Sequence, residues 1–81
     1  MDTIQEYLLD PNLYKEITKC YIKNKSINKN EILVTYADGS RERIWTYNPS
    51  TNDFYYGDFV GKTKLEAVFY CDRKHDSFYS R

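Results

Sequence analysis

Apolar and polar positions alternate most regularly across "EILVTYADGSRERIWTY" (31–47). Two runs rich in β-branched and aromatic residues flank Asp38-Gly39, a pair that favours a two-residue type I′ turn. Such a turn sets Tyr36 opposite Arg41, Val34 opposite Arg43 and Ile32 opposite Trp45, all on one face. Leu33, Thr35, Glu42, Ile44 and Thr46 take the other. Upstream, "EITKCYIK" (16–23) alternates Thr18, Cys20 and Ile22 against Lys19, Tyr21 and Lys23, which predicts a further strand. A helix running on from Pro11 competes, because Leu13, Ile17, Cys20 and Tyr21 also fit a helical stripe. "NKSINKN" (24–30) reads as a polar loop, "NPSTND" (48–53) as a turn cluster and "FYYG" (54–57) as a candidate edge strand.

Helical signals sit at both ends. Thr3-Ile4-Gln5-Glu6 fits a capping box, and Ile4, Tyr7 and Leu8 follow as an apolar stripe before Asp10-Pro11. Thr63-Lys64-Leu65-Glu66 is a second capping box. It opens a longer helix with Leu65, Val68, Phe69 and Asp72 on one face, extending toward Tyr79. The predicted architecture is α+β: one domain over residues 1–81, with an antiparallel three-stranded meander and a candidate fourth strand. A short N-terminal and a longer C-terminal helix cover one face of the sheet.

The composition is globular: 41% hydrophobic and 30% charged. Aromatics reach 17%, with nine tyrosines, more rings than a core of 81 residues can enclose, so several are expected on the surface. Exposed tyrosine suits a binding surface, and equally suits rim packing with the hydroxyl in water. The formal net charge is zero, which argues against a generic nucleic-acid binder and against an acidic DNA mimic. The N-terminal stretch lacks the basic flank and apolar run of a signal peptide, and no segment is apolar enough to span a membrane. The expected location is the cytosol, where Cys20 and Cys71 stay reduced.

Four groups of residues could carry chemistry. Gly61-Lys62-Thr63 resembles the end of a phosphate-binding loop, but the glycine that motif needs falls on Tyr56. The capping box already accounts for Thr63. Cys71 and His75 lie four apart on the predicted helix, and Cys20 is on the strand side it covers. These three could hold a structural zinc, with Asp72, Asp76 or water as the fourth ligand. Two buried thiols and a surface histidine at a helix end is the alternative. A Cys71–His75 nucleophile pair lacks a glycine loop or oxyanion motif, and the chain reads as non-enzymatic. Finally, Arg41, Arg43, Trp45 and Tyr47 alternate basic and aromatic side chains on the hairpin, a pattern that can grip nucleic acid or protein.

Gly57, Phe59, Thr63, Glu66, Ala67, Asp72 and Arg73 resemble the strand-to-helix segment of the AP2-type DNA-binding domain of plant factors and phage integrases. The spacing from Phe59 to Thr63 is longer than in that family, and its arginine- and tryptophan-rich first strand is missing. In overall type, the chain resembles small accessory proteins of Gram-positive phages and mobile elements, among them anti-CRISPR proteins. That resemblance implies a non-enzymatic inhibitor that binds a host protein, such as a CRISPR effector nuclease complex, and blocks DNA engagement. The expected partner surface is Arg41, Arg43, Trp45, Tyr47, Phe54, Tyr55 and Tyr56. The rival expectation is a small DNA-binding regulator that uses the sheet face or the basic residues Lys62, Lys64 and Arg73.

Overall fold

The computed structural model describes residues 10–79, the last five of them as backbone only. The N-terminal helix predicted from Thr3 to Leu8 lies outside the described residues. Strands β1 (Ile17–Ser26), β2 (Lys29–Tyr36) and β3 (Arg41–Tyr47) form an antiparallel sheet in the order β1-β2-β3, and helix α1 (Lys64–Tyr79) closes the described chain. The three-stranded meander and the C-terminal helix match the sequence. The fourth strand does not: Tyr56–Asp58 is a single 3-10 turn.

Strand β1 is longer than its alternation suggested, and the polar stretch 24–30 is strand. Asn24 pairs with Asn30, Ser26 pairs with Lys29, and only Ile27-Asn28 turn the chain. Local side-chain bonds make polar residues viable in these strands: Asn24 Nδ2 donates to Asn30 Oδ1 at 2.7 Å and to the Ser26 carbonyl at 2.9 Å. Composition alone reads such a stretch as a loop because it buries nothing.

The second hairpin differs from its predicted register for a reason visible in Asp38. Its carboxylate accepts from the Ser40 amide at 3.0 Å and the Ser40 hydroxyl at 2.6 Å, and pairs with Lys15 at 2.6 Å. These bonds favour a three-residue loop, 37–39, with Gly39 at φ +89°, a conformation that costs glycine little. The Tyr36 amide donates across the loop to the Ser40 carbonyl at 2.8 Å. The pairing therefore starts one residue off: Thr35 faces Arg41, Val34 faces Glu42 and Leu33 faces Arg43. A bulge at Ile44 then restores the predicted Ile32–Trp45 pair. Arg41 and Arg43 consequently share the face of Leu33 and Thr35. They are not on the core face with Ile32, Val34, Tyr36 and Trp45.

One sheet face packs under α1. Ile17, Cys20, Ile32, Val34 and Tyr36 meet Phe54, Phe59, Ala67 and Cys71 in a single buried cluster. The buried stripe of α1 is Lys64, Ala67, Val68 and Cys71, at i, i+3, i+4 and i+7. This is the predicted face turned by about one residue: Phe69 is 56% exposed and Asp72 faces water. Ala67, with no side chain beyond Cβ, lets the helix approach the sheet, and a second influence draws Lys64 inward.

That influence is a polar network at the helix start. The Lys64 ammonium bridges Asp10 and Glu42, the latter at 2.9 Å. Glu42 also accepts from the Tyr36 hydroxyl at 2.6 Å and from Asn12 Nδ2 at 3.2 Å. Burial alone would raise the Glu42 carboxyl, but the Tyr36 hydroxyl and Lys64 outweigh it and hold it below its ordinary range. Tyr36, desolvated and donating to a carboxylate, is pushed far above the ordinary phenol value. The orphan amides of α1 are met in the same place: Lys64 and Leu65 donate to the carbonyls of Lys15 and Leu13. The capping box forms as predicted, with Thr63 N to Glu66 Oε1 at 2.9 Å and Glu66 N to Thr63 Oγ1 at 3.3 Å.

Candidate functional site

The residues expected to form one partner surface are placed in four separate settings. Arg41 and Arg43 are exposed on the sheet face away from α1. Trp45 and Tyr47 are half-buried on the helix side, where they pack against the core and line a groove of about 390 Å³ with Asn48, Asn52 and Asp72. Phe54 is 5% exposed and belongs to the core, wedged between Tyr47 at 4.8 Å and Tyr70 at 6.2 Å between ring centroids. Tyr55 and Tyr56 are exposed at the 3-10 turn, their rings 4.8 Å apart. Sequence adjacency suggested a continuous patch; alternation of the strand and the turn at 56–58 divide it.

The basic residues of the rival expectation divide similarly. Lys64 is buried in its ion cluster and cannot meet a ligand. Lys62 is half-buried, with its ammonium 5.1 Å from the centre of the Tyr70 ring. Arg73 is exposed.

The sheet face away from α1 carries a different concentration of charge. Strand alternation places Lys19, Tyr21 and Lys23 of β1 on it, level with Thr35, Leu33 and Glu31 of β2. Arg41 and Arg43 of β3 continue the first two rows. Lys25 and Lys29 lie near enough to Glu31 to help draw its carboxyl below the ordinary range, after the larger contribution of the Arg43 hydrogen bond. Six of the chain's 12 basic residues thus gather on or beside this face: Lys19, Lys23, Lys25, Lys29, Arg41 and Arg43. The only acid those strands set among them is Glu31, which lies buried beneath the Arg43 guanidinium at 2.8 Å. No described helix or loop covers the face, and Lys19, Tyr21, Lys23, Arg41 and Arg43 are all exposed. Comparison with protein-family models, curated proteins and solved structures finds no match to the chain. The site must therefore be read from its own geometry.

Cys20 and Cys71 are both buried and free, and both belong to the core cluster. Burial pushes the Cys20 thiol up to about 11 and the Cys71 thiol up to about 12. Thiols held neutral in this way are poor nucleophiles. The His75 side chain of the predicted zinc set lies outside the described residues, and among the described residues no three His, Cys, Asp or Glu converge on a metal position. Gly61 has φ +92° and ends the turn that follows the 3-10 segment, and its amide donates to the Ile17 carbonyl at 2.8 Å. A backbone committed to the sheet in this way does not cradle phosphate.

The cationic face was partly legible. The alternation of Lys19, Tyr21 and Lys23 on one side of β1 is a sequence observation. Reading 24–30 as a loop concealed Lys25 and Lys29, and the register error moved Arg41 and Arg43 to the opposite face. A longer alternation, lysine at every second position from 19 to 25 except for Tyr21, was the available signal.

Proposed function

We propose that this chain is a small, non-enzymatic nucleic-acid-binding module that docks DNA on the open face of its sheet. The observation that carries the reading is charge segregation: among the described residues, six cations stand on or beside a sheet face that no described element covers, with one strand acid among them, paired to Arg43, in a chain whose net charge is zero. Such a face offers phosphate contacts from three strands, and counterion release supplies the affinity. Balancing acids lie elsewhere, among them Asp10 and Glu42 inside the ion cluster and Asp58 beneath Tyr70. The AP2-type resemblance, also a three-stranded sheet followed by a helix, agrees with this reading. A gel shift with random-sequence DNA tests it. Micromolar retardation at low salt that fades as salt rises is expected; absence of retardation with both single and double strands sinks the proposal.

A second reading has its own observation. Tyr55 and Tyr56 are 60% and 52% exposed with their rings in tilted contact, and Phe69 on α1 is 56% exposed. Aromatic surface of this kind suits a protein partner. A host nuclease complex is the partner implied by the anti-CRISPR resemblance. A stoichiometric, salt-resistant complex with such a nuclease, lost on Tyr55→Ala/Tyr56→Ala and unaccompanied by any DNA shift, would favour it.

A further inference from the structure

We infer that the ligand of the cationic sheet face is single-stranded DNA, held by an unpaired base stacked on Tyr21 with Lys19 and Lys23 on the neighbouring phosphates. The inference rests on the nucleic-acid reading above and specifies its substrate. Tyr21 is 52% exposed, and the strand pairing sets it in the row Tyr21–Leu33–Arg43 between the rows that begin with Lys19 and Lys23. On an extended strand the i±2 positions lie about 6.6 Å to either side of the ring on the same face. The repeat along β1 is therefore cation, aromatic, cation. β1 is also an edge strand, so a flexible polymer can reach this face from the open side of the sheet.

A duplex cannot use this arrangement fully. Its base faces are hidden in the stack, and only base edges reach a groove. A single strand exposes π-faces to an aromatic platform flanked by charge. Leu33, directly across from Tyr21, is half-buried and apolar. It offers contact to a thymine methyl or a deoxyribose carbon, and no acceptor for a 2′-hydroxyl. Arg43, next in the row, is held by Glu31 and leaves the stacking position to tyrosine.

The test is fluorescence anisotropy at low salt with three probes of equal length: oligothymidylate, oligouridylate, and a mixed-sequence DNA duplex. Wild type, Tyr21→Ala and Tyr21→Phe are compared, with circular dichroism and melting confirming that each variant is folded. Stacking on one aromatic ring predicts that Tyr21→Ala weakens oligothymidylate binding by about 5- to 100-fold. Tyr21→Phe is expected to stay within about threefold of wild type, because the ring face is kept. Duplex affinity should change by less than about twofold for either variant, because groove contacts do not use the ring. If Tyr21→Ala leaves oligothymidylate affinity unchanged, or if both variants lose binding equally, the stacking assignment is overturned while duplex binding can still support the broader reading. Tighter binding of oligouridylate overturns the choice of DNA. If no probe binds, the nucleic-acid reading itself fails. Should Tyr21→Ala not fold, Tyr21→Leu, which keeps apolar volume without a π-face, gives the same comparison.

Discussion

Replacing Lys64 by methionine removes one charge from the centre of the buried network and keeps nearly the same volume. Lys64 retains 9% of its side-chain exposure; Asp10 retains 18% and Glu42 28%. The substitution leaves two carboxylates facing each other across an apolar side chain. Removing one member of a fully buried ion pair costs about 3–5 kcal/mol. Partial exposure of both acids lets water repay some of that, so the expected loss is about 2–3 kcal/mol. For a domain of this size that corresponds to a melting temperature lower by roughly 10–20 °C. Urea unfolding followed by tryptophan fluorescence reads the loss directly, since Trp45 packs against the core. The pH dependence sharpens the test. Asp10 and Glu42 have folded-state values below their unfolded ones, so their contribution is present at neutral pH and lost as pH falls through the folded values. Without Lys64 the cation that Asp10 and Glu42 share is gone, leaving only the weaker pull of Lys15 on Asp10. The difference between wild type and Lys64→Met should therefore be largest near pH 7 and shrink toward pH 4. A loss under about 0.5 kcal/mol at pH 7, of the order of an exposed pair, or a difference that does not vary with pH, would refute the assignment of Lys64 as the organising charge.

The rotated face of α1 is tested by Phe69→Ala, which at 56% exposure should fall within about 0.5 kcal/mol of zero by the same urea assay, whereas Phe59→Ala, at 0% exposure in the turn before the helix, should cost about 3–5 kcal/mol. Breaking the capping box with Thr63→Ala or Glu66→Ala should each lower stability by about 1 kcal/mol, and the double variant less than the sum, because both bonds belong to one reciprocal pair. Both cysteines should resist a thiol reagent at pH 8 in the folded protein and react promptly in urea, since burial raises their thiols to about 11 and 12. Fast labelling of either one under native conditions would contradict its buried position.

What the sequence disclosed was what short-range chemistry decides. The capping box at Thr63, the strands around Asp38-Gly39 and the start of the C-terminal helix all rest on contacts within a few residues, and they stand where the pattern put them; the helix then runs to Tyr79, through a tail whose conformation the pattern left open. The errors arise where one side chain chooses between local alternatives. Asp38 binds Ser40 and Lys15, the loop gains a residue, and one residue of register moves both arginines to the other face. Lys64, polar by type, is drawn under the helix by Asp10 and Glu42, acids 54 and 22 positions away in sequence. No periodicity can display that pairing. The site suffered for the same reason. Trp45 and Tyr47 adjoin the arginines in sequence but face the core, and Phe54 fills it. A net charge of zero concealed a face on or beside which, among the described strand residues, cations outnumber acids six to one, because net charge records a sum and not a distribution.

The dependence of binding on salt measures that distribution. With Arg43 engaged by Glu31, five cations have no ion-pair partner among the described residues and can meet phosphates: Lys19, Lys23, Lys25, Lys29 and Arg41. Plotted as log affinity against log salt, oligothymidylate binding should give a slope of about −3.5, taking about 0.7 counterions released per contact on a single strand. Lys19→Ala/Lys23→Ala should reduce its magnitude by about 1.4. Binding with a slope near zero, or a slope untouched by removing both lysines, would contradict the claim that the open sheet face is where this protein meets its ligand.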